Sequence, residues 1–78
     1  MTYDLTLDML KSFQVAEVAG IAAEPTLKKR LMELGFVEGS PIRFLMSTPF
    51  GDPNIYSLRG TSIALRKSEA KCIHIKTP

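Results

Sequence analysis

Pro25 and Gly35 bracket the one stretch of this chain long enough for an ordinary helix, and between them Leu27, Leu31 and Leu34 recur at the i, i+4, i+7 spacing that lines three side chains along one stripe. Pro25 stands where a first helical residue has no amide bond to lose, and Gly35 where a helix ends in the left-handed conformation. Lys28, Lys29, Arg30 and Glu33 fill the outer face, and Phe36 is placed to fold back onto Leu31. The spacing predicts a helix over about 25–34. Everything else must be built around it from shorter pieces.

Those pieces read as strands. Phe13 to Ala19 is rich in β-formers and stops at Gly20, with Phe13 and Val15 on one face and Val18 on the other, an uneven parity that implies a bulge or a strand covered on both sides. Val37-Glu38-Gly39-Ser40 has its glycine where a type II turn needs positive φ, and Pro41 stands where a strand can begin without losing a ladder bond. From there Ile42, Phe44 and Met46 alternate with Arg43, Leu45 and Ser47, the period of a strand with one buried face. Thr48-Pro49-Phe50-Gly51-Asp52-Pro53-Asn54 is a loop by composition. Ile55–Arg59 and Ser62–Arg66 make a hairpin about Gly60-Thr61, with Ile63 and Leu65 inward. Ser68-Glu69-Ala70-Lys71 suits a single helical turn capped by Ser68, and Cys72–Lys76 closes the chain as a strand with Ile73 and Ile75 inward. Before all this, Thr6 can cap a short turn that turns Leu7 and Leu10 toward the body. The expected fold is mainly β: a small SH3-like barrel of about five strands, with one inserted α-helix over about 25–34 and a short helical turn before the last strand. The expected core is Leu27, Leu31, Leu34, Ile42, Phe44, Ile63, Leu65, Ile73 and Ile75.

At 78 residues there is room for one core, so residues 1–78 read as a single domain without repeat or linker. Cys72 is the only cysteine and His74 the only histidine, which excludes an intramolecular disulfide and a tetrahedral Cys/His zinc site. The hydrophobic fraction of 45% and charged fraction of 23% are those of a folded globular domain. Residues 1–10 lack the apolar centre of a signal peptide, and no apolar run approaches membrane-spanning length, so the expected location is the cytoplasm. A net charge of +2 is too small to mark a nucleic-acid binder, and no exposed aromatics interleave with basic residues as single-strand recognition demands.

No catalytic residue stands out: there is no phosphate-cradling glycine loop with its lysine, and no nucleophile with a base in a defensible position. The chain reads as a binding protein, not an enzyme. Lys28 and Arg30 on the helix, with Met32 and Phe36 flanking them, have the residue types that protein interfaces favour. Phe50 is an aromatic on a loop stiffened by two prolines, the way a rigid loop presents an anchor. These five are the expected partner-binding residues. Cys72 and His74, two apart on one expected strand, share a face and are weak candidates for a soft metal. Two ligands do not make a site, so no cofactor is expected.

The segments Lys-Arg-Leu-Met-Glu-Leu-Gly-Phe-Val-Glu-Gly-Ser (29–40), Thr-Pro-Phe-Gly-Asp-Pro (48–53) and Ile-Ala-Leu-Arg-Lys-Ser-Glu-Ala (63–70) together resemble the FeoA family, and the similarity runs from about Val15 to Ile75. The resemblance implies an SH3-like domain that accompanies the ferrous-iron permease FeoB and acts through that membrane protein and its GTP-binding domain, peripheral to the membrane only through this partner. It is similar as well to the C-terminal module of iron- and manganese-responsive repressors, so the first alternative is a metal-responsive regulatory module with weak transition-metal binding; an RNA-binding barrel, the use to which other SH3-like barrels are put, ranks below it. Lys11-Ser12-Phe13 departs from the Pro-Gly turn of many relatives. Self-association is left open by the sequence.

Overall fold

The computed structural model of the chain describes residues 5–11 and 14–77. A 3-10 turn, Leu7–Met9, leads into β1 (Val15–Ile21), α1 (Pro25–Leu34), β2 (Pro41–Ser47), β3 (Asn54–Leu58), β4 (Thr61–Leu65), α2 (Lys67–Ala70) and β5 (Ile73–Lys76). All strand pairings are antiparallel, and the sheet runs β4-β3-β2-β1-β5. The expected meander is β2-β3-β4, and α1 is the expected insertion between the first two strands. β4 and β5 stand at the two ends of this order and are not hydrogen-bonded to each other, so the barrel-like sheet is not closed.

Helix α1 has the expected limits, but its start is capped by a residue that the sequence did not single out. Glu24 accepts from the amides of Thr26 at 3.1 Å and Leu27 at 2.6 Å, satisfying two orphan donors and setting a negative charge against the helix dipole. At the other end Gly35 takes φ 113°, and a Cβ there would meet Leu58 Cδ2 at 3.2 Å. The amide of Phe36 then bonds back to the carbonyl of Leu31 at 3.1 Å, and both side chains are fully buried, at 0% exposure. The turn before β2 closes with Ser40 N–H donating to the carbonyl of Val37 at 3.0 Å, with Gly39 at φ 89°.

Several faces differ from the expected pattern. In β1 the inward residues are Ala16 and Val18, while Val15 is exposed, and Phe13 lies outside the described residues. No irregularity falls between Val15 and Val18, where the uneven parity placed it: Ala16 and Val18 share the inward face, and the register against β5 shifts only beyond them, between Val18 and Gly20, with β1 running on to Ile21. In β2, Ile42 and Phe44 are buried as expected, but Met46 is 59% exposed, because the register against β3 slips between Phe44 and Met46 and reverses the alternation. Leu34 is not a core residue. It is 47% exposed, since three residues past Leu31 it has turned about 60° off the buried line. Leu27 and Ile63 are partly buried at the core's margin.

The core is completed by residues on which the leucine stripe gave no information. Leu7 and Leu10 from the N-terminal turn, Tyr56 and Leu58 from β3, and Ala70 from α2 join Leu31, Ile73 and Ile75 in one cluster. Phe44 and Tyr56 meet edge to face, with centroids 5.6 Å apart and planes at 87°, a favoured aromatic geometry. The Thr6 hydroxyl bonds to the Asp8 carboxylate rather than capping an amide. Helix α2 begins one residue early, and its caps come from Glu69 Oε1, which accepts from the Arg66 amide at 3.0 Å, and from Asp52 Oδ1 in the distant loop, which accepts from the Lys67 amide at 2.9 Å. Ser68 falls inside the helix instead.

Candidate functional site

The five residues expected to contact a partner are sorted by the fold into different surroundings. Lys28 and Met32 stay together. With Pro25, Lys29, Glu33 and Val37 they line an open groove of about 520 Å³ beside α1. A second depression of about 180 Å³, between α1 and β1, shares Lys28, Met32 and Val37 with the first. Met32 and Val37 are exposed apolar residues, and the stems of Lys28 and Lys29 are able to add apolar surface to theirs.

Arg30 lies on the other flank of α1, since two residues of helix separate it from Met32 by about 200°. There it pairs with the Glu69 carboxylate of α2, so this guanidinium is partly engaged within the fold. Phe36 is corrected from a surface residue to a core residue: at 0% exposure it has no surface to offer, because the helix-ending bond to Leu31 folds it inward. Phe50 is the opposite case. It is 95% exposed at the tip of a tight turn closed by the Gly51 amide donating to the carbonyl of Thr48 at 2.8 Å. One residue beyond that turn, the Asp52 bond to Lys67 anchors the loop to α2. Helix α2 is thus a junction, tied through Arg30–Glu69 to α1 and through Asp52–Lys67 to the loop that carries Phe50.

The two metal candidates are not on one strand. Cys72 sits in the turn before β5, with its thiol donating to the carbonyl of Ser68 at 3.5 Å, while His74 is within β5 and pairs with Gly20. The parity argument that placed them on one face therefore fails at Cys72. Among the described residues no three His, Cys, Asp or Glu side chains gather in one place. Tyr56 is the titratable group buried in the core. Burial pushes its phenol above the ordinary value near 10, with the carboxylates Asp8 and Asp52 adding to the rise, and its hydroxyl faces the carbonyl of Leu7 at 3.5 Å.

Comparison with known proteins settles the kind of chain this is. The FeoA domain model matches residues 5–77. The chain belongs to the FeoA family. The solution structure of the FeoA protein from Chlorobium tepidum is 37% identical and superposes with a TM-score of 0.87, over 94% of this chain and 70% of that one. The FeoA of Stenotrophomonas maltophilia, an SH3 domain protein crystallised in complex with zinc, is 34% identical with a TM-score of 0.82, over 92% of this chain and 89% of that one. A fusion of Fe(2+) transport protein A with the Fe(2+) transporter FeoB from Porphyromonas gingivalis is 26% identical over 72 residues, or 92% of this chain and 8% of the fusion. This FeoA chain thus spans a small part of that relative. The fold is SH3-like and mainly β, and the family is linked to ferrous iron transport. No helix among the described residues is long and apolar enough to cross a membrane.

Proposed function

We propose that this chain is a small accessory protein of ferrous iron uptake that works by docking onto the cytosolic portion of a FeoB-type transporter. Lys28 and Met32 form the centre of the contact and Phe50 is a second anchor. The observation that carries this reading is the groove beside α1, where apolar Met32 and Val37 stay exposed between lysine stems although the core is complete without them. The P. gingivalis fusion supports the choice of partner: two modules that share one chain meet at an effective concentration in the millimolar range for a short linker, an arrangement suited to a contact that is weak between separate chains.

In this reading the domain is cytoplasmic and reaches the membrane only through its partner. Arg30 contributes less than Lys28, because its guanidinium is already shared with Glu69. The metal-responsive alternative would rest on Cys72 and His74, which supply two separated donors.

An amide NMR titration of the labelled chain with the soluble GTP-binding domain of the cognate transporter, with and without nucleotide, tests the proposal. Shifts gathered in residues 25–37 and 48–52 are expected. Shifts elsewhere would relocate the contact, and a spectrum unmoved at high partner concentration would reject that domain as the partner.

A further inference from the structure

Arg59 and Gly60 join β3 to β4 with φ values of 53° and 82°. A type I′ hairpin turn needs positive φ at both central positions, and Asn, Asp or Gly is the unstrained choice at the first. An arginine stands there instead, and its side chain is held. Arg59 Nη2 donates to Ser40 Oγ at 3.2 Å, and that hydroxyl donates in turn to the carbonyl of Gly35 at 3.1 Å. Ser40 is fully buried, so an interior hydroxyl anchors one nitrogen of this guanidinium while the residue itself stays exposed. Strain of this kind persists where the surrounding structure over-determines it, and it concentrates at ligand clamps.

A second guanidinium flanks the same place. Arg43 on β2 stands opposite Ser57 on β3 and opposite Val15 on β1, and with Pro41, Ile42 and Arg59 these residues line a depression of about 180 Å³. Among the described residues neither arginine forms an ion pair, and Glu17, opposite Pro41 on β1, pairs with Lys76 at 3.8 Å. The depression thus has two arginines at its edge and no carboxylate in its lining.

We propose that this depression binds a carboxylate side chain, Asp or Glu, presented by a protein partner. The planar donor fork of arginine matches a carboxylate with two parallel hydrogen bonds. Val15 and Pro41 offer an apolar wall to the methylenes of such a side chain or to its neighbour. The volume lies below the roughly 300–1,000 Å³ of small-molecule sites, which suits one side chain better than a nucleotide. The site shares no residue with the groove beside α1, so it stands or falls separately from the transporter-docking reading.

The test is a ¹H–¹⁵N titration, following backbone amides and arginine Nε–H signals, with three probes. These are a capped peptide alternating Glu and Leu, the same peptide with Gln for Glu, and inorganic phosphate. Saturable shifts at Val15, 41–43 and 57–60 are expected with the Glu peptide. Affinity should fall about tenfold or more with the Gln peptide, and likewise in the Arg43→Gln, Arg59→Gly double variant, on loss of charge-assisted bonds. Arg59→Gly suits the left-handed turn, so this variant stays folded, as its unchanged distant signals would report. Equal binding of the Gln peptide would overturn the proposal in favour of a merely apolar contact. Phosphate binding as tightly as the Glu peptide would overturn it in favour of a free-anion site. Absence of saturable shifts with the Glu peptide would also refute it.

Discussion

Helix α1 and the β2-β3-β4 meander are both amphipathic, yet they bury their apolar residues very differently. The meander places Ile42, Phe44, Tyr56, Leu58 and Leu65 in the core, whereas α1, twice the length of β3, fully buries Leu31 alone. The rest of its apolar content is half-buried, as at Leu27, or exposed, as at Met32 and Leu34. The sheet therefore supplies most of the buried apolar residues, and the helix is held to it by Leu31, the partly buried Leu27 and the Phe36 that follows the helix. Side chains that the fold does not require are free to serve an interface.

The largest test of this contrast is Leu31→Asp, which puts an unpaired charge at the one fully buried position of the helix; the cost of burying it should abolish the cooperative thermal melt. A normal melt would show that the helix is not held where we place it. Next comes the pair Phe36→Ala and Met32→Ala. Phe36→Ala should cost about 3–5 kcal/mol in urea unfolding, while Met32→Ala, on the exposed flank, should stay within about 0.5 kcal/mol and act on partner binding instead. Equal losses in the two variants would erase the distinction between the core and the exposed flank proposed for docking.

Asp52→Ala removes the cap supplied to α2 by the Phe50 loop, and a loss of about 1 kcal/mol is expected. Amide exchange of Lys67 should rise in this variant; if it does not, the loop is not coupled to α2. The smallest effect concerns the meander. Because burial raises the Tyr56 pKa above its unfolded value near 10, the folded state holds that proton more tightly. The contribution is present in full below about pH 10 and is lost as pH climbs through the raised folded value. Stability measured across this range should fall more steeply for the parent than for Tyr56→Phe, and identical slopes would contradict a buried phenol.

What could be read in the sequence follows the same division. The helix limits were legible because Pro25 and Gly35 are strong local signals, and Ile73 and Ile75 because strict alternation survives in β5. Parity failed wherever the register slips. Nothing in Phe44-Leu45-Met46 announces the shift that exposes Met46, and Ala16 is too small for its burial to stand out beside Val15. The proposed docking residues are harder to read, because exposure depends on tertiary contacts: the sequence offers Phe36 both as a fold-back onto Leu31 and as an interface residue beside Met32, and the bond from the Phe36 amide to Leu31 decides for the core. Glu24 carries little signal as a cap, because Ser, Thr, Asp and Asn are the usual choice there. Arg59 gave no signal, since an arginine before a glycine is ordinary until its φ is known.

The N-terminal turn and the last strand meet: Thr6 bridges to His74, and the Ile75 amide donates to the carbonyl of Leu5 at 3.0 Å. Polypeptide flanking this unit on either side would therefore arrive and depart along one border, and the domain would hang from its neighbours like a pendant with the helix flank and the Phe50 turn unencumbered. The same adjacency makes the order of threading dispensable. A circular permutant that joins residues 77 and 5 through a short linker and opens between Phe50 and Gly51 should keep the sheet order, because the strand neighbours, rather than the direction in which the chain visits them, define this architecture.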